Sequence, residues 1–192
     1  MHNGWVDFKD FVLVVDRSLV YPDNPWGFYD SRNRVVAEID RSIPLRTDAI
    51  IAYSDVARVV SSADAQAPGP DVVYGANLQH ALRLARTTAL DAQLSRILLV
   101  TYNLPSAHHI GGDSFFMYPP IPESLEAGRF EARLCADDSL RIDALLIAYD
   151  ADRSRELDDY FRPLTQEAGG DLVAVAPGNE SDAVAILGVT GL

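Results

Sequence analysis

Short apolar runs and amphipathic stretches alternate along this chain. Residues 11–15 form a wholly apolar run that ends at Asp16, which is typical of a strand buried on both faces of a parallel sheet. Apolar side chains then recur with helical spacing until Pro44 ends the segment. The same two patterns predict further strands at residues 49–53, 57–60, 97–100, 142–149 and 172–175, and further helices around residues 78–89, 127–134, 157–168 and 181–187.

Strands and helices that alternate at these lengths predict an α/β fold with a doubly wound, mostly parallel sheet flanked by helices on both faces. The chain has 192 residues and no repeat or low-complexity tract, so residues 1–192 are predicted to form a single domain. Residues 61–71 are predicted to be loop, and Ser181 is expected to cap the final helix.

Polar and aromatic positions follow several of the predicted strands. Asp16, Tyr102 and the loop before Leu78 all fall at the carboxyl ends of strands, where doubly wound sheets bind their ligands. We therefore expect these three segments to meet at one edge of the sheet, which we call the rim. Residues 103–122 then form a long segment rich in Pro, Gly, His and aromatic side chains, and residues 115–118 within it are expected to be a hairpin or an extended stretch.

Composition and charge exclude several classes of function. The formal net charge is −12, which argues against a nucleic-acid partner because phosphate backbones are bound by clustered Lys and Arg. The sequence shows no membrane-spanning run and no signal peptide at its start, so a cytoplasmic protein without a membrane partner is predicted. Cys135 is the single cysteine, which makes an intramolecular disulfide impossible and predicts a buried thiol.

The usual signatures of catalysis are missing from the sequence. There is no phosphate-binding Gly-x4-Gly-Lys-Ser/Thr, no Gly-x-Gly-x-x-Gly after a strand and no Gly-x-Ser-x-Gly. The protein is predicted to be no enzyme and to use no cofactor, with a small hydrolase using Asp16 or His108 as a less favoured alternative. His108, His109 and Asp113 are interpreted as loop residues and not as a metal site, because adjacent side chains do not converge on an ion unaided.

Three segments, in order and spacing, resemble one known family. They are the runs over residues 74–82, 97–108 and 116–120, which read Tyr-Gly-Ala-Asn-Leu-Gln-His-Ala-Leu, Ile-Leu-Leu-Val-Thr-Tyr-Asn-Leu-Pro-Ser-Ala-His and Phe-Met-Tyr-Pro-Pro. Together with Asp16-Arg17-Ser18 after the first strand, they resemble a von Willebrand factor A (vWA) domain. They are most similar to vWA proteins associated with MoxR-type AAA+ ATPases and related to magnesium-chelatase subunits. The resemblance implies a Rossmann-like three-layer sandwich and a protein partner, either such an ATPase or another vWA protein.

Typical vWA domains hold a divalent cation with Asp-x-Ser-x-Ser, a Thr and a second Asp. Carried over to this sequence, Asp16 and Ser18 match that pattern, whereas Val20, Ala76 and Tyr102 stand where the other oxygen ligands are expected. Mg²⁺ requires near-octahedral oxygen coordination, and a tyrosine is neutral at pH 7, so the resemblance implies a degenerate site that binds no metal. The Tyr102 phenol then either bonds to Asp16 or Ser18 in the vacant space or merely packs over the sheet end.

The sequence therefore favours a non-enzymatic, metal-independent interaction module, a scaffold or adaptor in an AAA+ ATPase-associated complex. Aromatic residues near the rim, including Trp5, Phe28 and Tyr29, either anchor a partner or pack inside the protein. The alternative is a metal-dependent (Mg²⁺ or Mn²⁺) vWA domain in which Asp23 or Asp55 supplies a substitute ligand. The residues predicted to bind the partner are Asp16, Ser18, Tyr21, Trp26, Asn77, Tyr102 and Asn103.

Overall fold

The computed structural model describes residues 10–19, 25–43, 45–71 and 75–188. The strands in these ranges are β1 (Val12–Asp16), β2 (Ile50–Tyr53), β3 (Ala57–Val59), β4 (Arg96–Thr101), β5 (Ala107–Ile110), β6 (Asp113–Phe116), β7 (Arg141–Ile147) and β8 (Leu172–Val175). The helices are α1 (Pro25–Ser42), α2 (Ser62–Ala65), α3 (Leu78–Asp91), α4 (Pro122–Asp137), α5 (Ala151–Glu167) and α6 (Glu180–Ile186). No helix in the described ranges has both the length and the apolar character that crossing a bilayer requires.

Six strands form one sheet in the order β3-β2-β1-β4-β7-β8, and β3 is the antiparallel member. The chain runs outward from β1 to β2 and β3, and then returns to place β4 on the other side of β1. Leu13 accordingly pairs with Ile50 on one side and with Leu98 on the other. The strand order thus reverses between β1 and β4, and the carboxyl ends of these two strands form the centre of the rim.

Helices cover both faces of the sheet, because alternate strand residues point to opposite sides. On one face, Val12 and Val14 of β1 pack in a cluster with residues of α3, α4 and α5. On the other face, Leu13 and Val15 pack with residues of α1 and α6. All five residues of β1 are buried, as its unbroken apolar run predicts. The predicted fold class, a mostly parallel sheet inside a three-layer α/β sandwich, is confirmed.

Two of the local predictions are wrong in detail. Residues 61–71 contain the short helix α2, because the Ser61 hydroxyl accepts a hydrogen bond from the Asp64 amide and caps the helix start. The final helix begins at Glu180 after Asn179, so Ser181 lies inside it. The six-stranded sheet draws its strands from all along the described ranges, from β1 to β8. That residues 1–192 as a whole form a single domain stays a prediction.

The long segment after β4 contains a two-stranded antiparallel sheet. Strands β5 and β6 pair from Ala107 with Phe116 to Ile110 with Asp113. Its turn is formed by Gly111 and Gly112, which both have positive φ angles of 60° and 101°. This hairpin projects from the carboxyl side of the main sheet beside α3 and α4.

Candidate functional site

Asp16 is the last residue of β1 and lies at the centre of the rim with no exposed surface. Its Oδ1 accepts hydrogen bonds from the backbone amide of Ser18, at 2.8 Å, and from the Ser18 hydroxyl. Its Oδ2 accepts a hydrogen bond of 2.7 Å from the hydroxyl of Thr101, at the end of β4. Both carboxylate oxygens are therefore engaged by donors of the chain itself.

Burial governs the electrostatics of Asp16. Loss of solvation raises the pKa of this carboxyl, while the hydrogen bonds from Ser18 and Thr101 and the charge of Arg32 act in the opposite direction. Arg32, on α1, is itself completely buried, and desolvation lowers the pKa of its guanidinium. A buried carboxylate and a buried guanidinium therefore lie close enough to influence each other behind the rim.

Arg32 also fixes the loop that follows α2. Its Nη2 donates hydrogen bonds to the carbonyl oxygens of Ala67 at 2.8 Å and Gly69 at 3.1 Å. Arg17 donates to the Ala67 carbonyl as well, at 2.9 Å, and its Nε donates to Asp71. The two arginines thereby connect this loop to the end of β1 and to α1.

Tyr102 occupies the first position after β4 and is also fully buried. Its hydroxyl donates a hydrogen bond of 2.8 Å to the backbone carbonyl of Ser18. Its ring contacts Phe28 and Tyr29 of α1, with centroid separations of 5.9 and 5.8 Å. Burial, followed by the charge of Asp16, raises the pKa of this phenol well above its usual value, so it is a neutral donor at physiological pH. The two roles expected for Tyr102, bonding to Ser18 and packing over the sheet end, thus occur together.

Asn103 joins three parts of the chain. Its Nδ2 donates to the Ser18 hydroxyl at 2.9 Å and to the Leu19 carbonyl at 3.2 Å. Its Oδ1 accepts a hydrogen bond of 3.1 Å from Arg153 in the first turn of α5. The same Arg153 nitrogen donates to the Tyr102 carbonyl at 2.9 Å. The segments after β1 and β4 and the start of α5 are therefore crosslinked by polar side chains.

Asn77 and Ala76 precede α3. The Asn77 side chain caps this helix by accepting from the His80 amide at 3.0 Å, and its Nδ2 donates to the Asp55 carbonyl at 2.9 Å. The backbone amide of Ala76 donates to the Ser106 hydroxyl at 3.0 Å, whereas its side chain offers only a methyl group. Both residues are buried and have structural contacts.

Hydrogen bonds join Asp16, Tyr102 and Asn103 to Ser18, whereas Asn77 bonds to His80 and Asp55. All five residues lie below the surface. Asp16, Ser18, Asn77 and Tyr102 have no exposed surface, and Asn103 is 9% exposed. These side chains cannot touch a partner unless their surroundings open, so their role in binding stays a prediction. Tyr21 and Val20, the alternative ligand Asp23, and the side chain of Trp26 lie outside the described residues, as does Trp5.

Among the described histidines, His80 lies in α3, while His108 and His109 lie in the strand β5 and not in a loop as the sequence suggested. His108 Nδ1 is 2.9 Å from the Ser124 hydroxyl, and His80 Nδ1 accepts a hydrogen bond of 3.1 Å from the Ala57 amide. The rings of His80 and His109 are 4.6 Å apart. Within the described ranges, no three His, Cys, Asp or Glu side chains are grouped as a metal site would require.

Sequence reasoning missed Thr101, Arg32 and Arg153 as members of the site. Thr101 ends an apolar strand, so its position at the rim was visible in the sequence. The two arginines act over long sequence separations, and no local pattern distinguishes them from arginines on a helix surface. A cleft of about 60 Å³ lies beside Asn103 and Arg153, and it was not predicted either.

The fold has counterparts among solved structures. The chain aligns with a D319A mutant of the PilB minor pilin from Streptococcus sanguinis at 14% identity and a TM-score of 0.56, covering 92% of this chain and 58% of that one. It aligns with the SpRpn10 VWA domain at 14% identity and a TM-score of 0.54, covering 94% of this chain and 96% of that one. The human COPII-coat protein Sec24c aligns at 13% identity and a TM-score of 0.53, with 86% of this chain and 29% of that chain covered. These likenesses show the fold, and this chain spans little more than half of the pilin.

A family model assigns the sequence more specifically. No curated protein matches the chain. The model described as Rv0959-like protein, vWA domain, matches residues 42–186, which is most of the sequence and begins after Asp16 and Ser18. The chain therefore belongs to this family of vWA domains.

Proposed function

We propose that this chain is a non-enzymatic protein-interaction module whose binding is independent of metal ions. A vWA domain suggests protein interaction, and the closed hydrogen bonding of Asp16 is the observation that carries the metal-independent part of the proposal. In this arrangement the Asp16 oxygens accept hydrogen bonds from Ser18 and Thr101, and the Ser18 hydroxyl accepts one from Asn103, so fewer lone pairs are left for a cation.

Among the described residues, those at the rim do not fit Mg²⁺. This ion requires about six oxygen ligands at roughly 2.0–2.1 Å and is held by carboxylates. Asp16 supplies one carboxylate, Ala76 supplies no side-chain oxygen, and the buried Tyr102 hydroxyl is a neutral donor turned toward the Ser18 carbonyl. The buried guanidinium of Arg32 already supplies positive charge near Asp16. A second cation would be repelled by it and would gain few ligands.

A non-enzymatic role is supported by the contacts of the candidate catalytic groups. Asp16 is enclosed, and its described partners are hydroxyl and amide donors. His108 is buried against Ser124 on the hairpin side of the fold. Neither group is presented to a substrate with an acid or base beside it. A panel of ester and phosphate substrates is therefore expected to show no turnover above background.

The proposed cellular role is that of a scaffold or adaptor in an AAA+ ATPase-associated complex. The support is the resemblance of residues 74–82, 97–108 and 116–120 to vWA proteins associated with MoxR-type ATPases. The partner is accordingly such an ATPase or another vWA protein. A cytoplasmic location belongs to the same proposal.

Affinity capture with the tagged chain tests this function directly. Native extract is divided between buffer with Mg²⁺ and buffer with EDTA, and the captured proteins are identified by mass spectrometry. We expect the same AAA+ ATPase or vWA protein in both. Capture only with Mg²⁺ would favour the metal-dependent alternative, in which Asp55 or Asp23 completes a cation shell. Failure to capture any protein under either condition would contradict the interaction module itself.

A further inference from the structure

Exposed apolar side chains are concentrated on the β5–β6 hairpin and the segment that leaves it. Ile110 is 58% exposed, Met117 42% and Tyr118 49%, while Phe115 and Phe116 are each more than one third exposed. Soluble proteins rarely expose four consecutive apolar residues unless the surface binds something. We call Ile110 together with residues 115–118 the hairpin surface.

The hairpin surface is held firmly in place. The Met117 amide donates to the Ser106 carbonyl at 2.9 Å, and the His109 amide donates to the Gln79 side chain of α3 at 2.9 Å. On the α4 side, His108 contacts Ser124, and its ring lies 5.5 Å from that of Phe115. The apolar groups are therefore presented by a pre-organised element, which lowers the entropic cost of binding a partner.

A cleft continues this surface toward the rim. Its volume is about 60 Å³, and its apolar lining includes Leu19, Leu104, Tyr118 and Pro119. Arg153 and Glu156 of α5 complete its lining with their ion pair, in which the charged atoms are 2.6 Å apart. The cleft therefore offers both apolar and polar groups to a side chain of modest size that projects from a partner.

Three acidic residues lie on or next to the hairpin. Asp113 lies in β6, Glu123 directly precedes Ser124, and the Asp55 carbonyl accepts a hydrogen bond from Ser114 of β6. Glu156 borders the cleft and forms an ion pair with Arg153, whereas no ion pair is found for Asp55, Asp113 or Glu123 among the described residues. The chain as a whole has a net charge of −12. A partner that brings Lys or Arg to this surface would therefore be attracted, and an acidic partner would be repelled.

We propose that the hairpin surface binds a basic protein segment, with an apolar side chain in the cleft and Lys or Arg residues facing Asp55, Asp113 and Glu123. This proposal rests on the interaction function proposed above and specifies the surface and the chemistry of the partner. Apolar contact supplies affinity at the centre, and the surrounding charges supply the selection for a basic partner.

The test measures binding of two labelled amphipathic helical peptides by fluorescence anisotropy, one of leucine and lysine and the other of leucine and glutamate. The leucine–lysine peptide should bind, and added salt should weaken it because charge attraction is screened. The double substitution Ile110→Ser/Met117→Ser should weaken binding about tenfold by removing apolar contact area. Asp113→Asn should weaken it as well.

Matched variants elsewhere on the surface serve as controls. Leu90→Ser/Ile186→Ser removes two apolar groups that are 47% and 71% exposed on α3 and α6, and it should leave binding unchanged. Asp182→Asn on α6 is the corresponding control for charge. Circular dichroism should show that every variant is folded, since all the substituted side chains are at the surface.

Several outcomes would overturn the proposal. They are equal binding of the two peptides, no binding of the leucine–lysine peptide, and undiminished binding by Ile110→Ser/Met117→Ser. Self-association in sedimentation that this double variant abolishes would assign the surface to a second copy of the chain instead. Capture from extract distinguishes failure of this proposal from failure of the proposed interaction function. If the double variant still captures the partner, the hairpin surface is refuted as the binding site. If the unsubstituted chain captures no partner, the interaction function itself is refuted.

Discussion

Replacing Tyr102 with phenylalanine removes one oxygen atom from the rim and leaves the ring in place. The lost hydroxyl donates to the Ser18 carbonyl at 2.8 Å, and both residues have no exposed surface. The ring contacts with Phe28 and Tyr29 are retained. The substitution therefore separates the hydrogen bond of Tyr102 from its packing.

The expected cost follows from the burial of the acceptor. A buried polar group that loses its partner costs about 1–3 kcal/mol, more than the net value of an ordinary hydrogen bond. For a protein of this size, a loss of 1 kcal/mol lowers the melting temperature by roughly 2–4 °C. Tyr102→Phe should therefore lower the melting temperature by roughly 2–12 °C.

Urea denaturation followed by circular dichroism, in Mg²⁺ and in EDTA, measures the loss of unfolding free energy, and thermal melts measure the change in melting temperature. Tyr149→Phe is the matched control, because its ring is 42% exposed and the change should stay within about 0.5 kcal/mol. If the rim is closed without a metal ion, Tyr102→Phe should lower the free energy of unfolding by the same amount with and without Mg²⁺. An effect no larger than that of the control would show that Tyr102 only packs. Stabilisation of the unsubstituted protein by Mg²⁺ would refute the closed, metal-free rim.

Three further predictions concern Tyr102 at the rim, Gly170 before β8 and His80 on α3. Tyr102→Asp restores the residue expected in the family, yet it should cost about 3–5 kcal/mol in urea denaturation without rescue by Mg²⁺, because it removes a buried ring and adds a second carboxylate near Asp16. Gly170→Ala should lower the free energy of unfolding by about 3 kcal/mol, because its Cβ would lie 1.8 Å from the Ile142 carbonyl oxygen. The control Gly111→Ala has open space around its Cβ and should lose only about 1 kcal/mol, because Gly111 has a positive φ. Burial, then His109 and Arg83, lowers the pKa of His80, so the unfolded chain takes up a proton first and the free energy of unfolding should fall as the pH drops below about 6.5. His80→Gln should remove this part of the pH dependence in thermal melts, and an unchanged profile would assign it to other groups.

The fold could be predicted because burial leaves a repeating trace in the sequence. Residues 11–15 read as a wholly buried strand, and β1 is buried along its whole length. In α5, the apolar spacing of Leu157, Tyr160 and Phe161 marks the face that the structure buries. Such patterns depend on neighbours within one element, so a single sequence contains them.

The missed helix α2 shows the limit of judging a segment by composition. Ala, Asp, Gln, Pro and Gly over residues 61–71 suggested a loop. The sequence Ser61-Ser62-Ala63-Asp64 nevertheless carries the spacing of a helix cap, and the Ser61 hydroxyl accepts from the Asp64 amide at 3.1 Å. A search for this cap would have predicted the helix.

The closed state of the rim could not be predicted in the same way. Sequence position places Asp16 and Tyr102 at strand ends, but it does not say whether their side-chain oxygens face solvent or form hydrogen bonds inside the protein. Arg153 reaches the Tyr102 carbonyl across 51 residues of sequence. Such contacts join residues that come close only after the helices and the sheet have packed. The hydrophobic pattern of a single element therefore does not predict them.

Closure of the rim also decides where a partner can bind. Ser106 links the two regions, because its hydroxyl accepts from the Ala76 amide and its carbonyl accepts from the Met117 amide. In the proposed module, the buried rim therefore acts as a rigid support, and the exposed hairpin surface makes the contact. Substitutions at Tyr102 should then lower stability first and binding only as a consequence, whereas Ile110→Ser/Met117→Ser should lower binding while stability is preserved. If instead a change at the rim abolished binding in a fully stable protein, the rim itself would have to open and take part in recognition.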